Sequence, residues 1–229
     1  MSDSLDDDLH HQRLAQVARL LRESGARRVL DLGCGTGWLL QLLLQEPRFE
    51  TLVGLEQSGE LLAQAQLRLA ARPEAGGGRL RLICGSYAEA QPELAGFAAA
   101  AMVETLEHMP PGALSLVERR VFAELAPARL VLTTPNHDYN PLYGLAPGEF
   151  RDPDHRFEWG RERFRAWAQG VARRHGYRLR LGGIGEWHES LGQPSQLAIF
   201  DRATPESPPP AAAAPTGRPA WSASGHPRR

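Results

Sequence analysis

The sequence predicts an α/β fold with a doubly wound, mostly parallel sheet that ends in an antiparallel hairpin. Aliphatic, strand-like runs alternate with segments whose apolar residues recur at helical spacing. The last two strand-like runs have no helix between them, so we expect them to pair antiparallel. The predicted strands cover residues 28–32, 51–55, 80–84, 98–103, 130–134, 177–181 and 196–200.

The predicted helices connect these strands and have recognisable ends. The first covers residues 5–23, and Gly25 follows as a C-terminal stop signal. Ser58 is the predicted N-cap of a helix that extends to about residue 71. Further helices are predicted over residues 39–44, 113–125 and 161–175.

The composition is that of a protein able to bury a hydrophobic core without disulfides or bound metals. The chain has 229 residues, of which 42% are hydrophobic and 23% are charged. Cys34 and Cys84 form no C-x-x-C pair, which argues against a disulfide framework or a structural zinc site and suits a reducing compartment. We expect a domain over residues 1–203, with the N-terminal helix 5–24 packed on it, and a disordered Pro/Ala-rich tail over 204–229.

The charge pattern excludes some functions and permits others. All 26 basic residues are Arg, which excludes mechanisms that need a Schiff-base or P-loop lysine, and the net charge is −1. Residues 151–180 nevertheless contain nine Arg and four acidic residues, enough for one basic face that binds a few nucleotides. No signal peptide and no apolar run of about 20 residues is present, so we expect a cytoplasmic protein with no membrane partner.

A glycine-rich turn follows the first predicted strand, with the spacing D-x-G-x-G-x-G. Its glycines let the backbone approach a ligand closely, and Asp31 can hold an ammonium group. Glu56 ends the next strand, where it can accept hydrogen bonds from ribose hydroxyls. The turn alone also allows a Rossmann-like binder of another nucleotide. The residues of the turn are Asp31, Gly33, Gly35 and Gly37.

Two carboxylates and an imidazole follow the fourth predicted strand in an E-x-x-E-H pattern. These residues are Glu104, Glu107 and His108. Their oxygen and nitrogen atoms suit Mg²⁺, Mn²⁺ or similar divalent ions better than metals that prefer thiolates. Taken alone, the same pattern also fits two solvated loop charges and a packing histidine.

Two later segments decide between these interpretations. One reads T-P-N-x-x-Y-N from Thr134, and the other reads D-H-R-F-E-W from Asp154. Together with the E-x-x-E-H pattern and the glycine-rich turn, they resemble the small-RNA 3′-terminal nucleotide 2′-O-methyltransferase family. The resemblance spans most of residues 29–200. The E-x-x-E-H pattern is also similar to that of ubiquinone-biosynthesis O-methyltransferases, so it does not name the substrate by itself.

The resemblance implies a class I methyltransferase fold and a set of site residues. S-adenosyl-L-methionine would be bound by Asp31, Gly33, Gly35, Gly37 and Glu56, with Ser86 near the adenine. A divalent metal, Mg²⁺ or Mn²⁺, would be bound by Glu104, Glu107, His108 and His155. His108 and His155 would be the catalytic residues, and one of them could accept the proton. Glu56 stands where Asp is usual in the family, which alters its reach to a ribose.

The resemblance also implies the substrate and partners. The methyl acceptor would be the 2′-OH of the 3′-terminal ribose of RNA, on a single-stranded or overhanging end, with the metal binding the 2′,3′-diol. An RNA-repair protein is an expected partner, and we expect a monomer. The residues alone leave two other functions open: a catechol-type small-molecule O-methyltransferase, and a catalytically silent cofactor-binding module. The complete set of site residues argues against the catalytically silent module.

Overall fold

The computed structural model describes the chain from residue 2 to residue 203. The tail predicted over 204–229 lies outside the described residues. Seven strands form one sheet in the order β3-β2-β1-β4-β5-β7-β6. The strands are β1 Arg28–Leu32, β2 Thr51–Glu56, β3 Leu80–Cys84, β4 Ala99–Val103, β5 Arg129–Pro135, β6 Tyr177–Ile184 and β7 Ser195–Arg202. Strands β1 to β5 run parallel, and β7 pairs antiparallel with both β5 and β6. The predicted fold class is therefore confirmed.

Within residues 2–203, five α-helices flank the sheet: α1 Ser2–Glu23, α2 Trp38–Leu44, α3 Gly59–Ala70, α4 Leu114–Glu118 and α5 Arg161–His175. The Ser58 hydroxyl accepts a hydrogen bond from the Leu61 amide at 3.3 Å, so Ser58 caps α3 as predicted. The helix predicted over 113–125 is only partly correct. It is α-helical in α4 and continues as a π-helix over Arg119–Leu125, because the Ala126 amide donates to the carbonyl of Val121, five residues earlier.

Each face of the sheet is covered by its own apolar core. On one face, α5 and the π-helix bury Phe122, Phe164 and Phe200 against the sheet. On the other face, α1, α2 and α3 bury further leucines, among them Leu21 and Leu40. Burial of each such side chain contributes about 1.5–3 kcal/mol, so the two layers hold the strands in a fixed register. No helix between residues 2 and 203 is long and apolar enough to cross a membrane.

The strand order reverses at β1, which pairs with β2 on one side and with β4 on the other. Asp31, near the end of β1, lies opposite Gly54 in β2 and Ala101 in β4. The carboxyl ends of β1, β2, β4 and β5 therefore share one edge of the sheet. In open α/β sheets, ligands bind in the crevice outside this edge, at the point where the order reverses.

Candidate functional site

The glycine-rich turn after β1 is fixed by contacts with both neighbouring strands. The amides of Gly33 and Cys34 both donate to the carbonyl of Leu55 in β2, at 2.8 and 3.1 Å. Gly33 has φ +80°, and a Cβ there would overlap the hydroxyl of Thr105, just beyond β4. Glycine is therefore required at this position, because the turn passes directly against the segment that follows β4.

The two predicted cofactor carboxylates have different surroundings. Asp31 is buried, its Oδ2 atom has no hydrogen-bond partner among the described residues, and burial together with the nearby Glu56 raises its pKa to about 7. Glu56 accepts hydrogen bonds from the amides of Gly35, at 2.9 Å, and Ser58, at 2.8 Å. Asp31 is thus a buried acceptor that fits a cationic ligand group. Glu56 braces the turn and keeps one further lone pair on each oxygen for a hydroxyl donor.

Ser86 lies beside Glu56, where β3 ends. The amide of Gly85 donates to the Glu56 carbonyl at 2.9 Å, which ties this loop to the end of β2. The Ser86 hydroxyl accepts a hydrogen bond from the Ala88 amide at 3.2 Å. Every residue predicted to bind the cofactor therefore lies on the same edge of the sheet.

Glu107, His108 and His155 form a cluster that could hold a metal ion. One ligand atom from each lies within 4.8 Å of the others, and the two histidine rings meet edge to face with centroids 4.8 Å apart. The Arg156 amide donates to the Glu107 carbonyl at 2.8 Å, which holds the loop of His155 over the segment after β4. The structure thus brings together three of the four predicted metal ligands. We call them the Glu107–His108–His155 cluster.

Glu107 is a suitable carboxylate ligand for a cation. Its side chain is completely buried, and its Oε2 atom accepts a hydrogen bond from the Thr134 hydroxyl at 3.0 Å. Its Oε1 atom has no hydrogen-bond partner in the described part of the chain. Burial and the nearby Glu104 raise the pKa of Glu107 well above its usual range. A cation would stabilise the ionised form and satisfy the free oxygen, so these residues fit a divalent ion.

The two histidines of the cluster have different surroundings, and a hydrogen bond orients the ring of His155. His155 Nδ1 lies 2.6 Å from Oε1 of the buried Glu158, so Nε2 is the ring nitrogen left to face a ligand. Burial and the neighbouring His155 lower the pKa of His108. Both rings are therefore placed to act as nitrogen ligands.

Glu158 is itself held by a network that joins the two segments predicted to be decisive. Asn140 Nδ2 donates to Oε2 of Glu158 at 2.6 Å, and the Arg151 amide donates to Oε1 at 2.8 Å. Burial opposes ionisation of Glu158, but the hydrogen bonds from His155, Asn140 and Arg151 lower its pKa to about 2. The Arg151 side chain also donates to Oδ1 of Asn140 at 2.7 Å and to the Asn136 carbonyl at 2.6 Å. Glu158 is therefore ionised and fixed.

Glu104, the fourth predicted metal ligand, lies beside the cluster with its carboxylate turned to another partner. Its Oε2 atom accepts a hydrogen bond from Arg13 of α1 at 3.2 Å, while Oε1 is buried without a hydrogen-bond partner among the described residues. Its backbone has φ +49°, a left-handed conformation that costs a non-glycine residue about 1–3 kcal/mol. The role of Glu104 as a ligand stays a prediction.

Sequence reasoning missed three residues of this site. Glu158 lies in the D-H-R-F-E-W segment, and its spacing of three from His155 is a signal that could have identified the contact. Thr134 opens the T-P-N segment but was assigned no role. Arg13 carries no signal, because it is one of several Arg residues in a predicted helix.

Comparisons with known proteins identify relatives of this chain. The family model described as "Methyltransferase domain" matches residues 29–128. A small RNA 2′-O-methyltransferase of Mus musculus is 34% identical over 203 residues, and one of Arabidopsis thaliana is 31% identical over 212. Each match covers 85% of this chain, but 51% of the mouse protein and 22% of the Arabidopsis protein. The chain thus spans about half the length, or less, of these relatives.

Solved structures show the family. The methyltransferase domain of bacterial CtHen1 is 36% identical with a TM-score of 0.77, and the match covers 86% of this chain and 100% of that domain. The small RNA methyltransferase HEN1 is 32% identical with a TM-score of 0.78, over 85% of this chain and 26% of that one. These similarities confirm the class I methyltransferase fold. The chain belongs to the small-RNA 2′-O-methyltransferase family.

Proposed function

We propose that this chain transfers a methyl group from S-adenosyl-L-methionine to the 2′-OH of the 3′-terminal ribose of RNA, with the help of a divalent metal. The observation that carries the proposal is the contact between the cofactor turn and the segment that bears the metal ligands. Gly33 lies directly against Thr105, which stands between Glu104 and Glu107. A methyl donor in the turn and a metal in the Glu107–His108–His155 cluster would therefore be neighbours.

At the cofactor end, the residues bind and orient. S-adenosyl-L-methionine, when bound, supplies a methyl group on a sulfonium centre that leaves as a neutral thioether. The buried carboxylate of Asp31 provides an unpaired acceptor for the cofactor's ammonium group. Glu56 keeps the turn closed through Gly35 and offers its remaining lone pairs to the ribose hydroxyls.

At the chemical end, the residues hold a cation and orient the terminal diol. A divalent ion, when bound, supplies a Lewis acid that makes a ribose hydroxyl a better nucleophile. Glu107 Oε1, which has no hydrogen-bond partner among the described residues, and His155 Nε2, the ring nitrogen not bonded to Glu158, would hold it. His108 completes the set, since burial keeps its ring neutral, and Glu104 could join if it exchanged Arg13 for the metal.

The proton of the attacking hydroxyl needs an acceptor in the same cluster. His155 Nδ1 is committed to Glu158, so only its Nε2 atom could act. His108 has a lowered pKa and therefore a lone pair at neutral pH, so it would accept the proton if Glu107 and His155 held the cation without it. Because the leaving group departs neutral, the site needs no general acid.

Recognition of the diol would make this site selective for intact RNA ends. A substrate with a 2′-deoxy or a 3′-phosphorylated terminal ribose presents only one of the two hydroxyls. Mg²⁺ or Mn²⁺ matches the mixed oxygen and nitrogen ligands. An RNA-repair partner, the monomeric state and the cytoplasmic location stay predictions.

The proposal is tested by incubating the protein with labelled S-adenosyl-L-methionine, Mn²⁺ and a short RNA. Matched substrates carry a terminal 2′-deoxyribose or a 3′-phosphate, and a further reaction contains EDTA. We expect labelling of the intact RNA only, and only with metal. Equal labelling of all three RNAs would contradict the diol–metal mechanism, and labelling of a catechol without RNA would support a small-molecule methyltransferase instead.

A further inference from the structure

A groove runs between α5 and the β6–β7 hairpin, close to the site. It has a volume of about 240 Å³ and is lined by Arg161, Phe164, Arg165, Leu181, Trp187 and Gln196, among others. We propose that this groove binds the single-stranded RNA that precedes the 3′-terminal nucleotide, which rests on the proposed function.

The floor of the groove lies on the same face of the sheet as Thr134, which supports the Glu107–His108–His155 cluster. Gln196, in its floor, lies directly opposite Thr134 in the antiparallel pair of β5 and β7. Residues opposite each other in such a pair project to the same face of the sheet. Thr134 donates its hydroxyl to Glu107, so the floor of the groove and the Glu107–His108–His155 cluster are neighbours at this end of the sheet.

The rim of the groove carries the two side-chain types that bind single-stranded nucleic acid. Trp187 is 68% exposed and offers an indole face on which a base can stack. Arg165 is exposed and makes no hydrogen bond or ion pair with any described residue, so its guanidinium is available to a phosphate. A second cavity adjoins the first, shares Arg161 and Arg165, and adds Arg163.

The base of the groove is built to stay in place. Arg161 is paired with Asp138 at 3.0 Å and donates to the Ser190 carbonyl at 2.6 Å, which joins α5 to the hairpin. Gln196 donates to the carbonyls of Pro135 and Trp159, at 3.0 and 2.7 Å. Because the groove is preformed, few side chains become ordered when RNA binds. The free energy of stacking and of phosphate contacts therefore contributes to affinity. The exposed Arg165 at its rim is complementary to an RNA phosphate, which an apolar peptide does not carry.

The test measures the affinity of the full chain for a fluorescent 20-nucleotide single-stranded RNA by anisotropy. We expect Trp187→Ala to weaken binding about tenfold or more, and Trp187→Phe to retain most of it, because stacking needs only an aromatic face. Arg165→Gln should lower the slope of log affinity against log salt by about 0.7, the loss of one phosphate contact. Both losses should shrink for a trinucleotide, which is too short to fill the groove.

Matched controls are Arg173→Gln, an exposed Arg on the same helix outside the groove, and Leu67→Ala, 79% exposed on α3. Neither should change RNA affinity. Wild-type affinity in both Trp187→Ala and Arg165→Gln would overturn the inference and leave the groove to a protein partner. If the wild type binds RNA but methylates none, the proposed function fails while the affinity comparison still decides the role of the groove.

Discussion

The glycine-rich turn and the Glu107–His108–His155 cluster are held in place in different ways. The turn follows β1 and contacts β2, which is next to β1 both in sequence and in the sheet. The Glu56 carboxylate, at the end of β2, accepts hydrogen bonds from two backbone amides. The Glu107–His108–His155 cluster joins distant segments, and its supports are side chains: Thr134 on Glu107 and Glu158 on His155. A substitution in the turn should therefore act locally. A substitution in the hydrogen-bond network around the cluster should also displace other residues of the cluster, because the side chains of the network are linked to one another.

The sharpest separation of the two regions is expected from His155→Ala. The substitution removes the ring that we propose binds the metal or accepts the proton, so turnover should be abolished, while affinity for S-adenosyl-L-methionine should stay near the wild-type value. Isothermal titration with the cofactor and a labelling assay with RNA would measure the two effects. Loss of cofactor affinity in this variant would mean that His155 supports the fold of the turn as well.

Asp31→Asn is the reciprocal substitution at the cofactor end. It keeps the size of the side chain but removes the charge that would pair with an ammonium group, which is worth about 1.5–3 kcal/mol, or roughly 10- to 150-fold in cofactor affinity. Binding of Mn²⁺ should not change. An equal loss of metal affinity would show that the two regions are coupled rather than independent.

Glu158→Gln tests whether the residue that orients His155 matters as much as His155 itself. The amide cannot hold the His155 proton as the carboxylate does, so Mn²⁺ affinity should fall about 10- to 100-fold. The matched control is Glu118→Gln, because Glu118 accepts a similar bond from His175 at 2.9 Å, outside the site. A comparable loss in both variants, measured by Mn²⁺ titration, would rule out a positioning role for Glu158.

The pH dependence of the two regions should also differ. The pKa of Asp31 is raised to about 7, so the carboxyl is protonated below that pH and cofactor affinity should fall about tenfold per pH unit between 6.5 and 5.5. Stability runs the other way. The unfolded chain loses this proton near pH 4, so the free energy of unfolding decreases as pH rises from about 4 to 7. In Asp31→Asn, both slopes should flatten by this contribution.

The sequence predicts these two regions to different extents for physical reasons. Asp31, Gly33 and Glu56 stand at the ends of adjacent strands, where the topology of a parallel sheet alone brings them together. His155 lies on a loop, and its position depends on long-range contacts such as the bond from the Arg156 amide to Glu107. Only the resemblance to a family could place it.

Other features of the site leave even less trace in the sequence. The pairing of Arg13 with Glu104 depends on how α1 packs on the sheet, and no spacing rule gives that contact. The π-helix after α4 is similar, because its apolar residues also fit ordinary helical spacing. Local periodicity therefore predicts which segments form elements, but not which side chains meet between distant ones.

The smallest expected effect tests a hydrogen bond that holds the segment between the two regions. The Tyr87 hydroxyl, which is buried, donates to the carbonyl of Thr105 at 2.9 Å, and Thr105 in turn lies against Gly33. Tyr87→Phe should cost about 1 kcal/mol of stability, and Tyr177→Phe is its control, since Tyr177 makes the same kind of bond to the Pro127 carbonyl at 2.9 Å, away from the site. Thermal unfolding should therefore shift by similar amounts in both variants. Only Tyr87→Phe should also change the affinities for cofactor and Mn²⁺, each by a few-fold, because it loosens the segment between them. If neither the cofactor affinity nor the Mn²⁺ affinity changes, each region is held in place by its own contacts, and Thr105 does not couple them.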